Sequence, residues 1–169
     1  MGCGWSGRPF KEELADKGCD VYAIDADPRV LELPKHKGVR LIVRKFLEPM
    51  DDLPQFDVIF CISVLEDLTA DLPDVLRKFA SKLKDNGEII VTFDTPYRKD
   101  EPTPTYPGLN IQDFIWAVHT AGLEFVGAVN LQADGYVNHQ EWNLACCHFV
   151  LQHRTFPGLT DLMDLKVDL

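Results

Sequence analysis

The sequence predicts an α/β fold, a doubly wound, mostly parallel sheet with helices on both faces and an antiparallel last strand. Three observations predict it. Apolar runs of strand length alternate four times with helical patterns, the order of right-handed crossover units. Two strand-like runs then follow with only the polar segment 132–143 between them, and strands joined so shortly run antiparallel. Finally, a glycine turn (Gly2-Cys3-Gly4, with Gly7 beyond) precedes the first helix, and Asp25 closes the next apolar run. Such a turn lets a ligand approach the backbone, and a carboxylate about 20 residues on is where nucleotide-binding βαβ units hold a ribose.

Length and composition bound the remaining possibilities. With 169 residues, 46% of them apolar, the chain suffices for one core, and the reading is a single domain over 1–154 followed by an acidic tail, 155–169. Seventeen basic against 27 acidic residues leave a formal charge of −10, a field that repels phosphate backbones and anionic lipid, so neither nucleic acid nor membrane is expected as a partner. No run of 18 apolar residues occurs, and no basic segment leads into an apolar one at the start, so the expected compartment is the cytoplasm. Five cysteines without a Cys-x-x-Cys pair argue against a disulfide framework and a zinc site, and no metal is expected.

Along the chain, Phe10, Leu14 and Ala15 share a helical face that Gly18 ends. Val21 to Ile24 reads as a strand buried on both faces, and Asp27-Pro28 as the cap and first position of a brief helix through Val30 and Leu33. Val39 to Val43 and Phe56 to Ile62 are the next strands, the latter central. From Asp71, the apolar positions Leu72, Val75, Leu76, Phe79, Ala80 and Leu83 form one stripe of a helix that Asn86-Gly87 terminates, with Lys82 and Lys84 on its C-terminal dipole. A strand from Glu88 to Asp94 follows at once. Four prolines make 95–110 a loop; Asn110 then caps a helix carrying Ile111, Phe114, Ile115 and Val118, ended by Gly122. The closing strands are expected near Glu124 to Leu131 and Leu144 to Gln152. Ligands in such sheets bind beyond the carboxyl ends of the strands, which carry the glycine turn, Asp25, the segment after Ile62, the proline loop and residues 132–143.

Taken together these segments resemble class I S-adenosylmethionine-dependent methyltransferases from Gly2 to about Gln152. Gly2-Cys3-Gly4 resembles the family's glycine motif, and Val21 to Asp27 its second strand with the acidic ribose ligand. Phe56 to Leu68 is similar to its fourth strand and loop, Lys84 to Phe93 to its fifth strand, and Leu144 to Gln152 to its antiparallel seventh. The resemblance implies S-adenosylmethionine as cofactor and methyl transfer to a small-molecule acceptor. It implies that Gly2, Cys3 and Gly4 pass close to the methionine end, that Asp25, with Ala26 beside it, accepts from the ribose hydroxyls, and that Phe46 packs on the adenine. The backbone from Cys61 through Ile62 to Ser63 would line the methionine moiety. No histidine base is inherited, because Asp67 stands where many relatives have a histidine, and the catalytic residues stay unassigned.

Two departures accompany the resemblance. The family's first strand would lie before Met1, between the strands of Val21 and Phe56, so the chain is expected to be an N-terminally truncated version of the fold. Without that strand either the sheet closes up, a partner fills the gap, or the chain is part of a longer product; the last is the expectation. Arg44-Lys45 stands where an acidic residue often meets the adenine. The turn Gly2-x-Gly4-x-x-Gly7 also matches the dinucleotide fingerprint, so a nicotinamide-dependent oxidoreductase and an inactive methyltransferase-like binding module stay open as alternatives. Tyr97, His139, Glu141 and Trp142 fall on loops at the binding edge and could meet an acceptor, whereas His36, His119, His148 and His153 have no ligand spacing and read as structural.

Overall fold

The computed structural model describes residues 2–4, 10–68, 70–96, 109–129, 137–139 and 144–155. The expected Gly7, Tyr97, Glu141, Trp142 and most of the acidic tail lie outside them. Helix α1 (Phe10–Asp16) ends on a left-handed Gly18, whose N–H reaches Ala15 O at 2.9 Å while that of Cys19 reaches Leu14 O at 3.1 Å. Strands β1 (Val21–Asp25) and β2 (Val39–Val43) pair in parallel from Val21↔Val39 to Asp25↔Val43. Asp27 caps the element between them as expected, its Oδ1 accepting from Arg29 N at 2.9 Å. That element is a 3-10 turn, Pro28–Glu32, and not an α-helix. Pro34 forces Leu33 into extended backbone, which stops the helix after five residues.

Strands β3 (Phe56–Ile62) and β4 (Leu83–Pro96) run parallel and are connected through α2 (Leu72–Ser81). The α2 stripe buries Val75, Leu76 and Phe79 as its period requires. The helix stops before Leu83, which the period had placed on it. Phe56 N–H takes the Lys82 carbonyl at 2.8 Å, and Leu83 becomes a buried strand residue opposite Phe56. The two lysines expected on the helix dipole are used elsewhere, Lys82 Nζ on Leu53 O (3.1 Å) and Lys84 Nζ on Asp57 (2.8 Å). Asp71 occupies the N-cap without a side-chain cap bond.

Helix α3 (Ile111–Thr120) is capped by Asn110, which accepts from Gln112 N at 2.8 Å, and β5 follows Gly122. β5 spans only Leu123–Phe125, because Gly127, at φ +78°, turns the chain away from the longer strand that its composition suggests. Strand β7 (Leu144–His153) is antiparallel to β4, β5 and the short β6 (Val137–His139), as expected of the last strand. α2 and α3 cover one face, where Phe93, Phe114 and Phe149 interlock with centroids 4.7–5.7 Å apart beside Leu76, Val91 and Leu151. Side chains alternate along β3, so Ile59 and Cys61 join that core while Phe60 meets Phe10 of α1 edge-on at 5.1 Å on the opposite face. Helices thus flank both faces.

The ladder is not continuous. β1 and β2 form a sheet of their own, and the other strands form a second, ordered β3-β4-β7-β5 with β6 on β7. The gap between β1 and β3 has not closed by pairing. Side chains bridge it instead: Tyr22 meets Phe56 at 5.3 Å, and Ile24, Met50 and Leu53 form a small second core with Tyr22, Ile42 and Phe56. On the α2 side Phe46 packs on Phe79 (5.8 Å), and Lys78 Nζ donates to Glu48 O.

Candidate functional site

The glycine turn is fastened to the end of β1. Gly2 and Cys3 both donate their N–H to Ile24 O, at 2.8 and 3.2 Å, and Gly4 N–H donates to Asp25 Oδ2 at 2.8 Å. Gly2 and Gly4 hold φ of +68° and +65°, which a side chain would strain. A Cβ on Gly2 would also stand 2.2 Å from Cγ2 of Val64, so the turn lies directly against the loop that leaves β3. This is a close approach of two backbones that only glycine permits.

Asp25 is held from both sides. Its second oxygen, Oδ1, accepts from Asp27 N at 3.0 Å, which leaves Ala26 as the tip of a tight turn. Each carboxylate oxygen has a further lone pair, so two donors can still be taken. Burial, with Asp25 as the next cause, raises the Cys3 thiol above its ordinary value; it is a neutral lining group.

At the end of β3 the three residues expected to line the site do different things. Cys61 is fully buried in the main core, its thiol pushed up to about 11 by desolvation. Ile62 is 42% exposed. Ser63 adopts a left-handed φ of +48°, and its N–H is shared between Thr92 O (2.9 Å) and Thr92 Oγ1 (3.1 Å), which fixes the reversal of the chain. A 3-10 turn, Leu65–Asp67, follows, anchored by buried Leu65. Glu66 reaches over the end of β4, Oε1 accepting from Asp94 N at 3.2 Å, and desolvation raises its pKa above the usual carboxylate value.

Phe46 stands apart from this group, engaged with Phe79. Its neighbour Arg44 donates its N–H to Asp25 O (2.7 Å), so the segment after β2 does adjoin Asp25. The Arg44 guanidinium is turned to Asp52 in a two-pronged pair at 2.7 and 2.8 Å. The structure therefore brings Gly2, Cys3, Gly4, Asp25, Ala26 and the Ile62–Ser63 reversal to one edge. Val64 and Thr92, which shape that edge by packing and by bonding Ser63, carry no motif that composition or spacing reveals. Among the described residues no His, Cys, Asp and Glu group has metal-ligand geometry.

Comparison with known proteins identifies the arrangement. A family model described as a methyltransferase domain matches residues 1–91 of the 169. The mitochondrial ubiquinone biosynthesis O-methyltransferase of Schizosaccharomyces pombe is 32% identical over 100 residues, covering 54% of this chain and 35% of that protein. The chain thus spans about a third of the length of this curated relative. Two solved structures share the fold. A TehB-like SAM-dependent methyltransferase from Corynebacterium glutamicum is 19% identical with a TM-score of 0.64, over 90% of this chain and 77% of that one. PKMT2 from Rickettsia typhi, in complex with AdoHcy, is 14% identical with a TM-score of 0.66, over 92% and 48%.

Proposed function

Since the chain belongs to the methyltransferase-domain family, we propose that it carries a methyl group from S-adenosylmethionine to a small-molecule acceptor. The observation that supports this most is the glycine turn pinned to the end of β1 beside Asp25, with Gly2 closed against Val64 so that no side chain intrudes. Turn and carboxylate suit a nucleoside with a charged amino-acid tail: the free lone pairs of Asp25 take the ribose hydroxyls, and the backbone of Gly2 to Gly4 runs beside the methionine end. Ala26 presents no bulk there. The segment after β2, which Arg44 N–H ties to Asp25 O, runs on the adenine side, although Phe46 itself is engaged with Phe79, and Ile62 and Ser63 line the methionine moiety. Bound S-adenosylmethionine supplies a methyl already activated by positive sulfur. The protein's own task is then alignment, which supplies up to about 7–11 kcal/mol in well-oriented intramolecular reactions.

Residues 1–154 are proposed as one catalytic domain and 155–169 as an acidic tail outside it. The cysteines among the described residues are unpaired thiols, which supports a reducing compartment, the cytoplasm. No helix among the described residues is long and apolar enough to cross a membrane.

The interrupted sheet favours a second reading, a module that binds the cofactor without transferring its methyl, because the turn is carried by β1 across a gap that side chains alone bridge. Calorimetric titration with S-adenosylhomocysteine, and separately with NAD, tests both readings. Heat with the former alone is expected; no heat at millimolar ligand would reject them together, and heat with NAD alone would favour an oxidoreductase. Transfer of labelled methyl to a panel of small hydroxyl and amine compounds then separates enzyme from binding module.

A further inference from the structure

Two hydrophobic cores are present, and they divide as the two sheets do. The larger draws on β3, β4, β5, β7, α2 and α3, with Cys61, Val75, Val91, Phe114, Leu123 and Leu151 at its centre. The smaller is Ile24 with Met50 and Leu53, beside Tyr22 and Ile42. Phe56, at the start of β3, borders both. Main-chain hydrogen bonds follow the same division. Val21 N–H donates to Gly38 O (3.1 Å) and Arg44 N–H to Asp25 O (2.7 Å), so Val21, Ala23 and Asp25 turn their main-chain groups to β2, while Tyr22 and Ile24 turn theirs to the gap. On the other side Ser63 N–H donates to Thr92 O, which sets Ile59 and Cys61 toward β4 and Val58 and Ile62 toward the gap. Val58 and Ile62 are 40% and 42% exposed along that edge. The glycine turn belongs to the β1 side, because Gly2 and Cys3 bond Ile24 O and Gly4 bonds Asp25.

Side chains join the halves: Tyr22 on Phe56, Phe10 of α1 on Phe60, Phe46 on Phe79, and Lys78 and Lys82 on the carbonyls of Glu48 and Leu53. A two-stranded sheet is marginal by itself. The β1–β2 half therefore opens by losing its order, and Asp25 and the turn are lost with it, whereas the larger core is complete without them. The residues assigned above to the cofactor are shared between the halves, with Gly2, Gly4, Asp25 and Ala26 on one and Ile62 and Ser63 on the other. Resting on that assignment, we propose that binding of the S-adenosyl ligand and ordering of the β1–β2 half are one coupled event. The ligand spans the gap at the carboxyl end of the strands, where no ladder crosses it, and an empty site leaves the half free to open ahead of the main sheet. Apparent affinity is then the intrinsic affinity discounted by the fraction of chains in which the half is ordered. Residues that never meet the ligand, Tyr22 first among them, set that fraction.

The test is amide hydrogen exchange of the full chain, read residue by residue by NMR across a urea series, with and without S-adenosylhomocysteine at about ten times its dissociation constant. Without ligand, amides of β1 and β2 should lose protection in a first transition, and those of Ile89–Phe93 and Cys147–Leu151 in a second at higher urea. The ligand should slow exchange in β1 and β2 by about tenfold and move the first transition upward, leaving the second, in which no site survives, where it was. Tyr22→Ala removes the contact with Phe56 at the amino end of the strands, away from the site. It should hasten unliganded exchange in β1 and β2 by up to about tenfold, the scale of an aromatic pair, and leave the second transition in place; a Tyr22 that served the fold as a whole would move both. The proposal is overturned if all these amides lose protection in one transition, if the ligand binds yet leaves exchange in β1 and β2 unchanged, or if Tyr22→Ala shifts both transitions alike. Failure of S-adenosylhomocysteine to bind rejects the methyltransferase reading and the coupling with it, and is told apart from the first of these results by two transitions that persist without ligand.

Discussion

Gly2→Ala is the sharpest probe of the site because its cost can be worked from two separate features. Alanine at φ +68° incurs the left-handed penalty, about 1–2 kcal/mol. Its methyl would also lie 2.2 Å from Cγ2 and 3.1 Å from Cγ1 of Val64, a β-branched side chain with little rotamer freedom, and relieving such overpacking costs about 1–3 kcal/mol more. The sum is about 2–5 kcal/mol. Gly2 is not part of either hydrophobic cluster, so the strain is relieved by moving the turn off Ile24 O and Asp25 and not by unfolding. The expected result is S-adenosylhomocysteine binding weakened about thirtyfold or more, at a rate of tenfold per 1.4 kcal/mol, with the thermal midpoint nearly unchanged. Calorimetry of Gly2→Ala, of Val64→Ala and of the double variant separates the terms. The double variant should recover the steric part and keep a deficit of about tenfold from backbone strain. Gly18→Ala is the comparator, for at φ +90° with nothing within 4 Å of its Cβ it carries strain without collision and should leave ligand affinity alone. Binding of Gly2→Ala within twofold of wild type, or a loss that removing the Val64 methyls leaves untouched, would refute the reasoning.

Other expectations follow from the same geometry. Asp25→Ala orphans the N–H groups of Gly4 and Asp27 and removes the proposed ribose acceptor; binding should fall by about a hundredfold or more, since two charge-assisted bonds at about 1.5–3 kcal/mol each set a loss of about 3 kcal/mol at the lower end, and unchanged affinity would identify another carboxylate as the ligand. Hydrogen exchange should show amides of β1 and β2 opening at lower free energy than those of Ile89–Phe93 and Cys147–Leu151, since the two-stranded sheet lacks a ladder to the rest; equal protection would mean that the bridging side chains couple the halves fully. The raised pKa of Glu66 means that the folded state holds its proton more tightly than the unfolded chain does, so this group favours folding at pH below its unfolded value and loses that contribution as pH rises through its folded one. Glu66→Gln should therefore gain stability relative to wild type between about pH 4 and pH 7, read by urea unfolding at both, and a constant difference would refute the shift. Asp52 and Asp57, lowered by hydrogen bonds from Arg44 and Lys84, act in the opposite sense, their contribution present at neutral pH and lost as pH falls through their folded values. Phe79→Ala, which empties a buried site beside Phe46, should cost about 3–5 kcal/mol in the same assay.

Local signals carried most of the architecture. The 3.6-residue stripe of Val75, Leu76 and Phe79, the caps at Asp27 and Asn110 and the left-handed glycines at positions 18 and 122 each act over a few residues, so sequence alone placed them well. Errors arose where a distant partner competed for the same group. Leu83 continues the α2 stripe in sequence, yet Phe56 captures the Lys82 carbonyl and converts the next residue to strand. Lys82 and Lys84 suit a helix end by position, but Leu53 O and Asp57 lie nearer in space. β5 is apolar enough to be longer, and the left-handed Gly127 ends it. Phe10 belongs to the apolar face of α1 by period, but it is 48% exposed and Lys11 is the buried residue, its stem covered in the fold.

The sequence by itself determined which residues make up the proposed site. Glycines at 2 and 4 and a carboxylate at 25 are requirements of covalent geometry and charge, readable because few other residues could meet them. Only the tertiary structure decided how that site is held. The gap between β1 and β3 was foreseeable, but not that it stays unpaired and is spanned by Tyr22 on Phe56 and by Gly2 against Val64. Nor was it visible that Glu66 ends with one oxygen on Asp94 and the other without a partner. Both depend on which residues far apart in the chain arrive at the same place, and that is set by packing and desolvation summed over the whole molecule, to which no local pattern in the sequence corresponds.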